Sequence, residues 1–378
     1  MLIERQVYSL LEKKLQENKV VLLYGPRRVG KTTLLEELSK NLEDKEKIKF
    51  VNGETLIIQN ELSSQSIEKL KSFVGENSLL IVDEAQKIPN IGLNLKLIID
   101  HIPNIKIIAS GSASFSLAQK VGEPLTGRKK TVHLYPISVN ELVNFQDTTF
   151  YKEIFESHLI FGGYPELFNL KSSEDKRDYL NELIDSYLFR DIFEIEQVKN
   201  PKKIKDLLAL LAFQIGREVS LSELANSLGL HNDTVARYLD LMEKSFIIVN
   251  IRGFSRNLRK EITKTSRYYF YDNGVRNALI NNFNPLNLRN DIGELWENFI
   301  VMERIKKQAY QPIFSNNYFW RTYDQKEIDW VEEREGKLFG YEIKWGDKKK
   351  KEPKLWKETY NNAEFKIINK DNYLDFIV

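Results

Sequence analysis

The ten residues YGPRRVGKTT, at positions 24–33, constrain the fold of this chain more than any other stretch. Gly25, Gly30, Lys31 and Thr32 fit the spacing G-x-x-x-x-G-K-[ST], in which glycines permit a tight curl and a close approach to phosphate oxygens. The apolar run KVVLLY precedes this loop, and TTLLEELSKNL, with apolar residues at helical spacing, follows it. The order strand, glycine loop, helix therefore predicts a nucleotide-binding P-loop.

We expect this loop to hold the triphosphate of ATP, because its N–H groups and the helix N-terminus form a nest for phosphate oxygens. Lys31 is expected to reach the β and γ phosphates, and Thr32 to ligate Mg²⁺. Arg27 and Arg28 either contact the nucleotide or fix the loop by ion pairs. The cofactor-binding residues predicted in the loop are Gly25, Pro26, Arg27, Arg28, Val29, Gly30, Lys31, Thr32 and Thr33.

The stretch SLLIVDEAQ supplies the acids that such a site needs. Asp83 is expected to hold the Mg²⁺, and Glu84 to polarise the attacking water as a general base at the end of a strand. Two solvated acids at a strand end are the alternative, but the order of the two motifs argues against it. The next strand ends in IIASGSAS, where Ser110 or Ser112 is either a polar sensor of the γ-phosphate or a helix N-cap.

Two arginines are candidates for the charge that stabilises phosphoryl transfer. Arg128 lies in LTGRKK and Arg190 in YLFRDIF. Either could reach a phosphate from a lid or from a neighbouring subunit, although a surface ion pair is the commoner use of an arginine. We choose Arg128 as the predicted catalytic residue.

The chain as a whole is typical of a globular protein, with 42% hydrophobic and 29% charged residues. It has no cysteine and only four scattered histidines, which excludes thiolate zinc sites and disfavours a histidine-built metal site. No apolar run is long enough to span a bilayer and MLIERQ is not a signal peptide, so we expect a cytoplasmic location. Strands alternate with helices up to about Phe145, which predicts an α/β fold with a parallel sheet.

A helix-turn-helix pattern follows in VSLSELANSLGLHNDTVARYLDLMEK. We expect Ser222 to cap the first helix, Gly229 to end it, and Asn232 or Asp233 to cap the second, whose buried face carries Val235, Leu239 and Met242. The next stretch reads as a wing hairpin, with six basic residues and one acid between Arg252 and Arg267. The exposed residues predicted to face DNA are Asn232, Thr234, Arg237 and Tyr238.

A hairpin near the C-terminus, YFWRTYDQKEIDWVEEREGKLFGYEIKW, gathers charges on one face. A turn at Glu335-Gly336 places Asp329 opposite Glu342 and puts Lys344 beside them, while Ile328 pairs with Ile343 and Trp330 with Tyr341 on an apolar face. Two carboxylates and a lysine can hold Mg²⁺ and orient a hydrolytic water. This arrangement is similar to the PD-(D/E)xK nuclease site, with Glu297, or alternatively Glu294, as the acid of the first helix. The alternative is an ordinary charge ladder that pairs Glu327 with Lys344, but it leaves Asp329 opposite Glu342 unexplained, because like charges there destabilise unless a positive charge intervenes.

The ordered motifs GPRRVGKTTLL, LLIVDEAQ, IIASGSAS, LYPISVNEL and FGGYPEL resemble those of a large prokaryotic family of AAA-type ATPases with a C-terminal domain of unknown function. The resemblance implies an α/β P-loop ATPase core at 1–148, a helical lid at 149–200, a winged helix at 201–280 and a restriction-nuclease-like domain at 281–378. The predicted catalytic residues are Lys31, Glu84, Arg128, Asp329, Glu342 and Lys344. The predicted metal ligands are Thr32, Asp83, Glu297, Asp329 and Glu342, and Asp83 and Ser112 complete the predicted cofactor site.

We therefore expect ATP binding and hydrolysis that controls binding to DNA, through the winged helix and the C-terminal domain, together with metal-dependent DNA cleavage. The alternative is an ATP-dependent regulatory or assembly switch whose nuclease-like domain binds DNA or a partner without cutting. A third reading is a scaffold in which the winged helix only packs domains together. A homo-oligomer is compatible with all three.

Overall fold

The computed structural model of the protein describes residues 3–112, 125–188, 200–255, 266–322, 324–346 and 351–378. A five-stranded sheet in the order β2-β3-β4-β1-β5 forms the first unit, and every neighbouring pair is parallel, as predicted. Its strands are β1 Lys19–Tyr24, β2 Ile48–Asn52, β3 Leu79–Asp83, β4 Lys106–Gly111 and β5 Lys129–His133.

Helices cover both faces of this sheet. Val20 and Leu22 of β1 pack into one hydrophobic cluster while Val21 and Leu23 pack into another, so the strand is buried on both sides. The edge strand β5, KKTVH, was missed because Val132 is its only buried residue and the strand lacks an apolar run. The helices of this unit are α1 Val7–Lys14, α2 Lys31–Leu42, α3 Leu56–Leu62, α4 Ile67–Val74, α5 Ile91–His101 and α6 Val139–Phe145, with a 3₁₀ turn at Ala85–Lys87.

A helical region follows and is built around one hydrophobic core. Leu180 from the segment predicted as a lid packs in the same cluster as Leu207 and Val235 from the helix-turn-helix segment. The boundaries predicted at residues 148, 200 and 280 stay predictions. The elements are α7 Thr148–Phe161, a 3₁₀ helix Pro165–Phe168, α8 Ser173–Leu183, a π-helix Ile184–Leu188, α9 Pro201–Phe213, α10 Leu221–Leu228, α11 Asn232–Lys244 and α12 Asn273–Leu279.

A second, seven-stranded sheet joins the helix-turn-helix segment to the C-terminal segment, in the order β12-β11-β10-β9-β7-β8-β6. The joint is a parallel pairing of β7 with β9, in which Arg252 lies opposite Tyr318. The strands are β6 Glu218–Val219, β7 Ile248–Gly253, β8 Ser266–Phe270, β9 Asn316–Arg321, β10 Glu327–Arg334, β11 Lys337–Ile343 and β12 Glu364–Ile368. The helices beside it are a 3₁₀ turn Leu286–Leu288, α13 Ile292–Tyr310, α14 Lys354–Thr359 and α15 Tyr373–Ile377.

The β10–β11 hairpin has the predicted turn and most of the predicted register. Glu335 and Gly336 have φ of 50° and 75°, the left-handed values of a type I′ turn, and Trp330 lies opposite Tyr341. The predicted pairing of Ile328 with Ile343 on one apolar face is wrong. A register shift against β9 between Ile328 and Val331 turns Ile328 into the cluster of Val331, whereas Ile343 packs with Trp330.

Candidate functional site

The glycine loop connects β1 to α2 and has the compact form that the motif predicts. A Cβ on Gly25 would lie 2.3 Å from the carbonyl oxygen of Leu134, and Gly30 has φ of 96°. Both positions therefore require glycine. The Lys31 side chain is buried, and its Nζ donates hydrogen bonds of 2.9 Å to the carbonyl oxygens of Gly25 and Pro26. The ammonium group thus lies against the loop that is predicted to enclose the phosphates.

Asp83 connects the loop to the adjacent strands. The Thr32 hydroxyl donates to Asp83 Oδ2 at 2.6 Å, and the Ser110 hydroxyl donates to Asp83 Oδ1. Asp83 is 1% exposed, so this carboxylate is held within the protein between the helix and the strand. A hydroxyl and a carboxylate oxygen at this separation are hard oxygen donors, which suit Mg²⁺. Thr32 and Asp83 therefore fit the metal that their motif implies.

Glu84 follows Asp83 and lines the cleft beside the loop. Its φ of 50° is left-handed, and its N–H donates to the Ser110 hydroxyl at 3.1 Å, which fixes the direction of this turn. Gln86 Nε2 donates to Glu84 Oε2 at 2.6 Å and to the Ser112 hydroxyl at 3.2 Å. Ser110 therefore contacts the metal-site acid, while Ser112 reaches Glu84 through Gln86. The sequence offered Gln86 only as part of the run DEAQ, and its function was missed.

The cleft has a volume of about 440 Å³ and two different walls. One wall is the loop, the start of α2 and Glu84. The other comes from residues after α7: Pro165 and Glu166 belong to the FGGYPEL motif, whereas Tyr179 was not singled out in the sequence. The lining residues are Arg27, Arg28, Gly30, Lys31, Thr32, Thr33, Glu84, Pro165, Glu166 and Tyr179. Three residues of the segment predicted as a lid therefore line this cleft, and the function of that segment as a lid stays a prediction.

Arg128 lies away from this cleft. It immediately precedes β5, whose first residue pairs with Val20 near the start of β1, whereas the glycine loop follows the end of β1. Its guanidinium forms an ion pair with Asp100. The expectation that Arg128 contacts the phosphates of a nucleotide bound to its own chain is therefore wrong. Arg128 lies at the amino ends of the parallel strands, and the glycine loop lies at their carboxyl ends. A contact with a neighbouring copy stays a prediction, and Arg190 lies outside the described residues.

Arg5, a buried arginine before α1, forms a hydrogen bond with the glycine loop. It was missed because it lies about 20 residues before the motif. Arg5 Nη1 donates to the carbonyl oxygen of Val29 at 2.9 Å, and Nη2 donates to that of Tyr135 at 2.5 Å. Its Nε donates to Glu141 Oε1 at 3.0 Å, and the side chains of Arg5 and Glu141 are 8% and 0% exposed. Arg5 therefore fixes the position of the loop carbonyl next to Gly30.

Replacing Arg5 with methionine is expected to destabilise the protein and to weaken ATP binding. Removing one partner of a buried ion pair leaves Glu141 uncompensated, at a cost of about 3–5 kcal/mol. Urea unfolding measures the loss of stability, and calorimetric titration of ATP well below the melting temperature measures the effect on the loop. Lys47→Met is the control, because its ion pair with Glu76 is exposed on both sides. An ATP affinity unchanged in folded Arg5→Met would contradict the positioning function.

The helix-turn-helix pattern corresponds to α10 and α11, and Val235, Leu239 and Met242 are buried as predicted. Asn232 and Arg237 are exposed and Thr234 is half-buried. Tyr238 was predicted to be exposed, but it is 3% exposed because it packs into the core of this region. The Ser220 hydroxyl, not Ser222, caps α10 by accepting from the Glu223 N–H. The hairpin β7–β8 is present, while Arg256, Arg259 and Lys260 lie outside the described residues.

The C-terminal hairpin and α13 bring the predicted acids and lysine together in a cleft of about 520 Å³. Lys344 Nζ is 2.7 Å from Glu342 Oε1 and 3.5 Å from Asp329 Oδ2. Glu297 lies in the same group, whereas Glu294, the alternative, accepts from Arg217 at 3.0 Å. The group also contains a residue that sequence reasoning missed. Arg267 Nη1 is 3.7 Å from both Glu297 Oε1 and Asp329 Oδ1.

Metal binding by these carboxylates stays a prediction, and two cations lie among them. No set of three or more acidic or histidine side chains in the described ranges is arranged to hold a metal ion. Glu297, Asp329 and Glu342 were expected as ligands, but the guanidinium of Arg267 and the ammonium of Lys344 lie between them. Burial, and then the charge of Asp329, raise the pKa of Glu297 to about 8.

Lys344 is held as a cation. Burial acts to lower the pKa of its ammonium, but the carboxylates of Asp329 and Glu342 more than offset this and raise the pKa. A general base would need the neutral amine, so Lys344 is a source of positive charge at this cluster.

Comparison with known protein families supports the first part of the resemblance. Residues 17–143 match the family described as AAA domain, so the chain carries an AAA-type P-loop domain. Residues 152–286 match a Domain of unknown function (DUF8612), and residues 292–372 match a Domain of unknown function (DUF4143). One family therefore extends over both the segment predicted as a lid and the helix-turn-helix segment, which share one hydrophobic core.

Relatives occur in both bacteria and archaea. An uncharacterized protein of Mycobacterium tuberculosis is 27% identical over 91% of this chain and 74% of its own length. Another of Methanocaldococcus jannaschii is 26% identical over 85% of this chain and 74% of its own length. Among solved structures, AMPPCP-bound DnaA from Aquifex aeolicus is 16% identical, covers 63% of this chain and 86% of that chain, and has a TM-score of 0.33. That overlap is too small to transfer a function. Within the described residues, no helix has the length and apolarity needed to cross a bilayer.

Proposed function

We propose that this protein binds and hydrolyses ATP with Mg²⁺ at the cleft between the glycine loop and residues 165–179. The observation that carries the proposal is the contact of the Thr32 hydroxyl with Asp83 at 2.6 Å, beside the buried Lys31 and with Glu84 on the same cleft wall. Phosphate release from ATP tests it directly. A purified protein that neither binds ATP nor releases phosphate in the presence of Mg²⁺ would overturn it.

Each residue has one task in this reaction. The loop N–H groups and the α2 N-terminus bind phosphate oxygens, and Lys31 neutralises charge on the β and γ phosphates. Thr32 and Asp83 would hold Mg²⁺, which offsets the charge that develops on the phosphoryl oxygens during transfer. Glu84 accepts a proton from the attacking water. Gln86 fixes the Glu84 carboxylate through its hydrogen bond of 2.6 Å.

We further propose that the nucleotide state controls binding to DNA without cleavage of the DNA, which is the switch alternative. The exposed Asn232 and Arg237 of α11 support the DNA contact, because the second helix of such a pair can enter a major groove. The cations that lie between the C-terminal acids favour binding over metal-dependent cutting. A shared core supports a link between the two activities, since Leu180, in the segment that lines the cleft, belongs to the same hydrophobic cluster as Val235 of α11.

Replacing Arg237 with alanine is expected to weaken binding to short duplex DNA by about three- to tenfold, and to reduce the salt slope by about 1, if its guanidinium contacts a phosphate. Fluorescence anisotropy at a series of salt concentrations, with and without ATP, is the measurement. Lys40→Ala is the matched control, because it removes an exposed cation from α2, which is not part of the helix-turn-helix pair. Wild-type protein that fails to bind DNA at low salt would end this part of the proposal.

A further inference from the structure

We propose that Arg267 acts as the resident cation of the C-terminal carboxylate cluster, in the place where a nuclease-type site would bind a divalent metal ion. The cluster is the set of Glu297, Glu327, Asp329 and Glu342 around the guanidinium of Arg267 and the ammonium of Lys344. The inference deepens the non-cleaving form of the proposed function, but it concerns metal binding and can be tested without ATP or DNA.

Arg267 contacts acids from two separate elements. Its Nη2 is 2.8 Å from Glu327 Oε2 on β10, which is a charge-assisted hydrogen bond. Its Nη1 lies 3.7 Å from Glu297 Oε1 on α13 and 3.7 Å from Asp329 Oδ1 on β10. One guanidinium thus approaches three carboxyl groups, which is the number of acids that the predicted site would direct at a metal.

Two of these acids accept further hydrogen bonds, in the case of Glu297 on the oxygen that also faces Arg267. The Tyr269 hydroxyl donates to Glu297 Oε1 at 2.7 Å, and the Ile343 N–H donates to Asp329 Oδ2 at 2.9 Å. Lys344 Nζ adds its contacts to Asp329 and Glu342. A metal ion needs oxygen lone pairs that are free to point at it, whereas Glu297 Oε1 and both oxygens of Asp329 face N–H or O–H groups. Binding a metal here would first require these donors to move.

The guanidinium is held firmly where it is. The side chain of Arg267 is 4% exposed, and its guanidinium carbon lies 4.6 Å from the centre of the Phe319 ring, a cation–π contact. Withdrawing it would take a cation away from the buried Glu297 and would leave Asp329 with its Lys344 contact, which costs more than breaking a surface ion pair. The cation is therefore part of the native site.

The sheet topology explains how Arg267 reaches the cluster. Arg267 lies on β8, which pairs with β7, and β7 pairs with β9 of the C-terminal segment. Opposite Ile251 on β7, its side chain can extend along the face of the shared sheet toward β10. The hairpin that carries Asp329, Glu342 and Lys344 therefore contains no hint of this cation, which comes from about 60 residues earlier in the chain.

The test is titration of Mn²⁺ into nucleotide-free protein, followed by calorimetry and by the electron paramagnetic resonance signal of free Mn²⁺. We expect no Mn²⁺ site at the cluster in the wild type, and a site in Arg267→Met whose affinity is at least about tenfold above any Mn²⁺ binding by the wild type, because Glu297 and Asp329 then lose one of their cations. Arg321→Met is the matched control: it removes another cation of the same cleft, paired with Glu218 at 2.8 Å, and leaves the cluster intact. Arg267→Lys, which keeps the charge, should behave like the wild type.

Wild-type protein that binds Mn²⁺ at a site lost in Asp329→Asn would overturn the proposal, as would Arg267→Met with no gain over Arg321→Met. If circular dichroism shows that Arg267→Met does not fold, the comparison of wild type with Asp329→Asn decides the matter alone. Equal Mn²⁺ binding in those two proteins would then support the resident cation. Loss of ATP hydrolysis or of DNA binding in other variants would leave this result unchanged, so the two proposals fail separately.

Discussion

Lys31→Ala is expected to lower the affinity for ATP by about 100-fold, which corresponds to about 2.7 kcal/mol of binding free energy. Lys31 is 5% exposed and its ammonium group lies against the loop carbonyls, so it is expected to contribute charge-assisted hydrogen bonds to phosphates within a partly desolvated site. Calorimetric titration of ATP in the presence of Mg²⁺ measures this loss.

The control for this variant is Lys40→Ala, which removes an exposed lysine from the last turn of the same helix. Both variants should unfold at similar urea concentrations, because neither lysine is part of a hydrophobic cluster. An affinity in Lys31→Ala within about threefold of that in Lys40→Ala would mean that the loop does not hold the triphosphate, because a lost charged contact costs more than that.

Glu84→Gln is expected to lower kcat for ATP hydrolysis by about 10²- to 10⁴-fold while leaving ATP affinity nearly unchanged. The amide keeps the shape of the side chain, yet it cannot accept a proton from water. Single-turnover hydrolysis together with ATP titration separates the two quantities.

Gln86→Leu is a useful companion to this variant, since it leaves Glu84 in place but removes the donor that orients it at 2.6 Å. We expect a smaller fall in kcat than for Glu84→Gln. If Glu84→Gln hydrolyses ATP at the wild-type rate, the general base lies elsewhere and the assignment of Glu84 fails. A parallel loss of affinity and kcat would instead indicate a damaged loop.

The first unit was predictable because its information is local. A buried parallel strand appears in the sequence as an apolar run, as in KVVLLY. The conformation of the loop that follows depends on two glycines, Gly25 and Gly30, which the motif identifies. The acids of SLLIVDEAQ could be placed because the carboxyl ends of parallel strands meet at one edge of the sheet. The edge strand KKTVH was not predicted, because a strand with only one neighbouring strand needs little apolar surface.

Residues that reach the site from distant parts of the sequence could not be predicted. Arg5 supports the loop from before the motif, and Pro165 and Tyr179 close the cleft from a segment whose sequence carries no nucleotide signature. Arg128 follows β4 in sequence, and this order suggested a position close to the phosphates. The direction of β5 places Arg128 at the amino ends of the strands, away from the glycine loop, where it pairs with Asp100.

By itself, the sequence determined the nucleotide loop, its acidic partner strand and the register of the C-terminal hairpin, since each depends on contacts between near neighbours or on the alternation of a single strand. Only the tertiary structure decided what surrounds those elements. The pairing of β7 with β9 carries Arg267 to Asp329, and a side chain paired across two segments leaves no pattern in either of them. Charge compensation in a buried cluster depends on the assembled sheet. Only the tertiary structure therefore shows which cations lie among the four acids.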